Sequence, residues 1–457
     1  MLQKASGGMP HGGGVRIAKD SAQYQRLFAW IAQGMPEGSE DTPPVVRIEI
    51  TPRERRLTMQ GEQQLRVVAT YADGHTEDVT RLARFQTNQE AIANVDERGL
   101  VTAGQTPGDV AIMAAYLDQV DVFRAIIPRP GKAAKPSTPP RYNFIDELVD
   151  RKLQKLNIQP SNLCDDATYL RRVYLDVIGT LPTPKEAREF LEDQRPNKRA
   201  LIVETLFERP EFADYWALQW ADLLRVDRLV LGHKGSYEFY SWIRDSFREN
   251  KPYDQFTREL IAPEGSLTKA PAGYFYKVVT KPGERASTLS QVLLGTRIEC
   301  AQCHHHPFDR WSQTDYYGMS AFFTQVTFKD GPGGPLIGGF RDKATKHPRT
   351  NEEVFAFALG TKQPEISPEG DRRQLLANWM TAPDNPWLSR SFANRLWAHF
   401  CGRGLVEPID DFRLTNPPSN PELLEALAKD FVEHQFDVRH LMKTIIASRT
   451  YQLSSEP

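Results

Sequence analysis

Between residues 45 and 127 apolar residues recur at every second position. Val46, Ile48 and Ile50 alternate in this way, as do Leu65, Val67 and Ala69, then Val110, Ile112 and Ala114, and last Val120, Val122 and Ala125-Ile126. Successive side chains of a strand point to opposite faces, so a period of two predicts half-buried strands. Asp73-Gly74, Arg98-Gly99 and Pro107-Gly108 punctuate the runs, and short strands broken by such turns predict an antiparallel sandwich. After residue 142 the period changes to three or four. Ile145, Leu148, Val149, Leu153 and Leu156 make one stripe, and Leu170, Val173, Tyr174 and Val177 make the next. Aromatic stripes follow, such as Phe212, Trp216 and Trp220, and are read as core. Further stripes run from Leu375 to Ile446. Thr183-Pro184-Lys185-Glu186 starts a helix: the threonine can cap, proline suits the first turn, and glutamate can close a capping box. The fold class expected is multidomain, an all-β sandwich followed by mostly α-helical domains.

The remaining segments fall between these periods. Residues 1–36 combine a glycine-rich loop, Gly7 to Gly14, with a helix from about Ser21 that stops at Gly34-Met35-Pro36. One short helix cannot bury a core alone, so this stub needs a partner. Residues 37–44 are a polar linker, and the β region occupies 45–127. Residues 128–141 are a proline-rich, semi-extended linker. A helical domain is expected over 142–328, a loop connector around Gly331-Pro332-Gly333-Gly334-Pro335 over 329–368, and a second helical domain over 369–457.

Charge and cysteine content narrow the function. Lys and Arg total 57 against 59 Asp and Glu, a net charge of -2 over 457 residues. That balance excludes a basic nucleic-acid binder and a polybasic membrane-surface protein. No apolar run approaches the ~18 residues of a transmembrane helix. The start, Met1 to Gly8, lacks the apolar core of a signal peptide, so composition alone expects a cytoplasmic chain. Four cysteines, Cys164, Cys300, Cys303 and Cys401, are too few for a disulfide scaffold.

Two of them carry the chemistry. Cys300-Ala301-Gln302-Cys303-His304-His305-His306-Pro307-Phe308-Asp309 contains Cys-x-x-Cys-His, the attachment signature of c-type haem. Thiols one turn apart can reach both porphyrin vinyl groups, and the next imidazole can face the iron. Cys300, Cys303 and His304 are therefore candidate haem c ligands, with Met319 the nearest second axial candidate and His399 a distant one. Three other readings stand beside this one. Cys300 and Cys303 with two of His304, His306 and Asp309 could hold zinc, although no second Cys-x-x-Cys supplies the usual partner pair. A redox dithiol would leave three consecutive histidines unexplained. The cysteines could also be reduced and structural.

Other residues receive plainer readings. His233, His347, His434 and His440 are scattered and read as surface or capping groups, and Cys164 and Cys401 as inert thiols. Asp410-Asp411 with Arg395 and Arg413 is expected to form a buried ion-pair network. No Walker loop, nucleophile elbow or dinucleotide fingerprint occurs. Hydrolysis of polysaccharide-related substrates would need His304, His306 and Asp309 as a metal or acid/base cluster, with a carboxylate pair converging on them.

Longer signatures point to a family. Leu170-Arg171-Arg172-Val173-Tyr174-Leu175-Asp176-Val177-Ile178-Gly179-Thr180-Leu181-Pro182-Thr183 and Leu294 through Trp311 resemble the planctomycete cytochrome c-like multi-domain proteins. Asn394 through Phe400, Gly402 through Val406 and Asp410 through Arg413 resemble the helical domain that follows in that architecture. The resemblance spans about residues 142–457. Residues 45–127, through Tyr71-Ala72-Asp73-Gly74, Asp78-Val79-Thr80 and Gly99-Leu100-Val101-Thr102-Ala103, resemble a bacterial immunoglobulin-like group 2 domain, which implies a spacer or docking role. Lys4 through Gly14 is similar to the tail of a cytochrome c domain whose own Cys-x-x-Cys-His would lie upstream, with Met9 and His11 as remnants of its axial side.

The resemblance implies a chain truncated at both ends and exported, because bacteria attach c-type haem outside the cytoplasm. The missing leader then reads as a missing start, and the expected location is the periplasm or cell envelope. The expected function is a haem protein that transfers electrons or senses redox state, whose family activity is uncharacterised. The alternatives are a structural metal-site scaffold, with zinc, or a polysaccharide-related hydrolase. Expected partners are a redox protein and, through the immunoglobulin-like domain, carbohydrate or a cell surface, with no nucleic acid.

Overall fold

Strands give way to helices where the apolar period changes. The computed structural model describes residues 2–10, 14–36, 42–131, 140–331, 334–339, 345–365 and 369–456. His11, most of the 128–141 linker and parts of the 329–368 connector lie outside the described residues. The chain divides into two compact units, residues 1–46 with 70–76, and residues 47–69 with 77–457.

In the first unit a helix spans Ala22–Ala32, and the Ser21 side chain accepts the Tyr24 N–H at 3.1 Å. No described residue between 2 and 36 is fully buried, and Phe28, Trp30 and Met35 are exposed.

The second unit begins with small sheets. Strands Gly108–Tyr116 and Gln119–Ile127 form an antiparallel hairpin, with Gln119 opposite Tyr116 and Ile127 opposite Gly108. Arg84–Thr87 pairs antiparallel outside the first of these, and Glu54–Arg56 pairs parallel outside the second. Glu62–Gln64, Leu100–Ala103 and Ala93–Val95 form another antiparallel sheet. Val110, Ile112 and Ala114 are buried as the alternation predicts. Ala111 and Met113 are buried too, so this strand is covered on both faces, which a period of two does not anticipate.

Helices then dominate. The predicted capping box at Thr183 and Glu186 forms at the head of helix Pro184–Glu192, and Asn143 with Asp146 builds another at the head of Phe144–Lys155. One continuous apolar core runs from Ile145 to Tyr451. Within it Tyr253 stacks on Phe392 with ring centroids 4.0 Å apart, and Phe392 stacks on Phe431 at 5.1 Å. Helices before residue 328 and after residue 372 thus bury one another's aromatic faces. Each such side chain contributes roughly 1.5–3 kcal/mol on burial.

A polar seam adds to this. Asp146 is 2% exposed, and its carboxylate accepts the N–H groups of Tyr142, Arg449 and Thr450 at 2.8, 3.0 and 2.9 Å and the Thr450 hydroxyl at 2.9 Å. The β region joins the helices through Asp109, which pairs with Lys152 and, at 3.1 Å, with Arg124. Arg124 also donates to the Pro418 carbonyl at 3.1 Å.

The expected loop connector holds strands among its described residues. Val326–Gly331 and Gly334–Gly339 pair antiparallel, and Gly265–Ser266 adds to the edge of the second; Pro332 and Gly333 lie outside the described residues. Among the described residues no helix is long and apolar enough to cross a membrane.

Candidate functional site

Helix Pro282–Leu294 ends at Gly295, whose φ of +66° is left-handed. A side chain is excluded there on two counts: an L residue strains at this φ, and a Cβ would meet the Phe412 ring at 2.6 Å. The Gly295 carbonyl accepts the Phe412 N–H at 2.8 Å, which ties this turn to the 410–413 loop. The chain then enters a short 3₁₀ helix, Glu299–Gln302, closed by Cys303. In a 3₁₀ helix residues three apart eclipse, so Cys300 and Cys303 share a face. Both are free and exposed, whereas Ala301 between them is fully buried and anchors the turn.

His304 follows on the surface, and its Nδ1 lies 2.7 Å from the His305 carbonyl. If that nitrogen carries the proton, Nε2 presents a lone pair, the arrangement typical of a metal-bound imidazole. The loop is pinned beneath. Gln313 donates to the Gln302 carbonyl at 2.8 Å, the His306 N–H reaches the Trp311 carbonyl at 2.8 Å, and the Thr415 hydroxyl donates to the Phe308 carbonyl at 2.8 Å. His306 is half-buried, with its Nδ1 accepting the Phe308 N–H at 3.2 Å, and burial with the nearby Arg413 lowers its pKa. Asp309 is buried, which raises its carboxyl pKa, and the N–H groups of Arg310 and Leu414 partly offset this.

The end of this loop walls a cavity of about 430 Å³. Asp309, Arg310 and Trp311 line one side, and Trp387, Arg390 and Arg413 are among the residues opposite. Arg310 lies over the Trp311 ring at 4.7 Å, and Arg413 over Phe308 at 5.4 Å. The cavity is therefore aromatic and cationic, and Asp309 is its one lining carboxylate. A converging carboxylate pair, which the hydrolase alternative needs, does not line it.

Two sequence expectations change here. Met319 is fully buried in helix Gln313–Ala321, so it could ligate an iron only if the core opened. Gly318, Ser320 and Ala321 beside it are buried as well, so nearness in sequence to Cys303 gives no access. The zinc set also fails to converge. Among the described residues no three of Cys300, Cys303, His304, His306 and Asp309 gather their ligand atoms into one cluster, and Asp309 is buried while both cysteines and His304 are exposed. His399, the distant axial candidate, instead places Nε2 2.8 Å from the Asp176 carbonyl and packs on Trp216.

The expected acidic and basic network forms in part, through Asp411 and Arg413 but without Arg395. Asp411 pairs with Arg413 at 3.1 Å, while Asp410 pairs with Arg297 and accepts from Gln291 at 2.6 Å. Arg395 donates to the Val292 carbonyl at 3.3 Å, and burial lowers its pKa. Burial pushes the Cys401 thiol up to about 12. His434 and His440 are not scattered. They stack with centroids 3.6 Å apart beside Asp430, a grouping discussed below.

Residues 144–328 match the family model PSCyt2, a protein of unknown function (DUF1549), and residues 372–457 match PSD1, a protein of unknown function (DUF1553). Both families are associated with planctomycete cytochrome-like proteins. A 71-residue stretch is 32% identical to ice-binding protein 1 of Shewanella frigidimarina, covering 16% of this chain and 8% of that protein's length.

Proposed function

We propose that this chain is an exported redox protein in which Cys300, Cys303 and His304 hold a covalently attached c-type haem. The observation that carries the reading is the state of these three side chains: two free thiols on one face of a 3₁₀ turn, followed at once by an exposed imidazole. The donor set fits the group, since thioether attachment needs free thiols and axial ligation needs an accessible ring nitrogen. Bound there, haem supplies one-electron chemistry. This chain's residues present the thiols, fix the loop through Gln313 and Thr415, and offer His304 as the single protein axial ligand. The cavity that begins at Asp309 has arginines that suit carboxylates and tryptophans that suit a flat aromatic body, but none of Cys300, Cys303 and His304 lines it. Export follows from the compartment of haem attachment, and residues 45–127 act as an immunoglobulin-like spacer. The ice-binding match is too short to bring that protein's activity to this chain.

The test is spectroscopic. Expressed with haem-attachment machinery, the purified chain is expected to show a Soret band that survives acid–acetone extraction and is lost in Cys300→Ala/Cys303→Ala. A colourless protein, or haem removed by extraction, would end the proposal.

A further inference from the structure

Helix Pro421–Glu433 and helix Val438–Ala447 are joined by a four-residue corner. Gln435 and Phe436 both take left-handed φ values, +56° and +57°, which reverse the chain within two residues. Phe436 is buried against Phe431, with ring centroids 5.3 Å apart, so the core holds the corner in this shape. Asp437 caps the second helix by accepting the His440 N–H at 2.9 Å. The reversal lays His434, at the end of one helix, flat against His440 in the first turn of the next, with an interplanar angle of 14°.

Asp430 lies one turn before His434 and faces both rings. Its carboxylate is 2.9 Å from His440 Nε2 and 3.5 Å from His434 Nδ1. One ligand atom from each of the three residues falls within 4.8 Å of the others. Two stacked imidazoles place their nitrogen edges side by side, and the carboxylate closes the third corner. A tetrahedral ion with bonds of roughly 2.0–2.2 Å needs ligands somewhat closer than this. Asp430 and His440 are partly buried on their helices, whereas His434 is half-exposed at a helix end, where a small ring rotation would close the gap.

We infer that Asp430, His434 and His440 form a binding site for a divalent transition-metal ion, with zinc the first candidate. Two imidazoles and one carboxylate select such ions over calcium or magnesium, which prefer oxygen donors alone. Three protein ligands leave a fourth position to water, the pattern of an open site. The Asp430 backbone carbonyl lies 2.8 Å from His434 Nδ1 and the Thr444 hydroxyl 3.3 Å from His440 Nε2, hydrogen bonds that an ion taking either nitrogen displaces. The site is separate from the cysteine segment and stands whether or not haem attaches there.

Zinc binding to the full chain tests this, measured by competition with a chromophoric chelator. A Cys300→Ser/Cys303→Ser background removes the thiols of the other segment, and the histidine substitutions at 434 and 440 distinguish this site from His304, His305 and His306. One equivalent of zinc is expected to bind in that background, and His434→Asn or His440→Gln is expected to weaken it at least about tenfold. Cobalt in place of zinc is expected to give a visible spectrum without thiolate charge transfer. Thermal melts of the metal-free variants confirm that each is folded. His434→Asn leaves a half-exposed position polar, so it keeps the test decisive if His440→Gln does not fold. No binding in the Cys300→Ser/Cys303→Ser chain, or binding unchanged by both histidine substitutions, overturns the proposal.

Discussion

Replacing Asp146 tests whether the segments before residue 328 and after residue 372 are one cooperative body. The carboxylate accepts four hydrogen bonds of 2.8–3.0 Å, three of them from Arg449 and Thr450, some three hundred residues away. Hydrogen bonds to a charged acceptor contribute about 1.5–3 kcal/mol each, but the donors partly rehydrate when the acceptor goes. Removing one partner of a buried charged network typically costs about 3–5 kcal/mol. Asp146→Ala is therefore expected to lose about 3–5 kcal/mol, a large share of a typical ~5–15 kcal/mol stability. Asp146→Asn is informative because it preserves shape. Each carboxylate oxygen takes donors, Tyr142 and Arg449 on one and Thr450 on the other. Either amide orientation points an NH₂ at N–H groups, so Asn should recover little, with a loss of about 2–4 kcal/mol. Urea unfolding gives the global change, and hydrogen exchange at the 449 and 450 amides gives the local one. Both variants should deprotect those amides. A loss below about 1 kcal/mol with both amides still protected would refute the argument, since surface changes lie in that range.

Two further outcomes follow from named groups. Burial raises the Asp176 carboxyl pKa, and the Tyr451 hydroxyl, donating to it at 2.7 Å, offsets only part of this. Between the ordinary carboxyl value and the raised one, the folded state keeps a proton that the unfolded state has lost, so stability falls as pH rises there. Asp176→Asn keeps an acceptor for Tyr451 and cannot ionise; it should gain stability over wild type at neutral pH and lose that advantage in acid. An advantage that does not depend on pH would contradict this, on urea midpoints compared at several pH values. Gly295→Ala places a methyl 2.6 Å from the Phe412 ring at a φ of +66°. The strain and overpacking should cost about 2–4 kcal/mol in urea unfolding, and a neutral result would show that the turn can adjust.

Local signals were legible in the residues, and long-range ones were not. The alternation at Val110, Ile112 and Ala114 and the Thr183 capping box depend on near neighbours, so the strands and the helix start follow directly. The Cys300 to His304 run reads as chemistry because spacing alone sets which side chains share a face. Nothing near Asp146 in the chain announces its role, since its partners at 449 and 450 are brought up by tertiary packing. Met319 misled because nearness in the chain says nothing about which helix face is inward. The Asp430 and His434 spacing, one helical turn, was a usable hint. His440 could not be joined to them without the corner at Gln435 and Phe436, where two residues other than glycine take left-handed φ. The strands Val326–Gly331 and Gly334–Gly339 were hidden because glycines and prolines dominate the local composition.

If Cys300 and Cys303 hold a covalent haem, the full chain made with haem-attachment machinery and then denatured carries it in an intact-mass measurement. The expected result is the chain mass plus one haem, with both thiols closed to alkylation and the peptide spanning Cys300 to His304 carrying the addition. A mass equal to the unmodified chain, with both thiols alkylated in full, would contradict it.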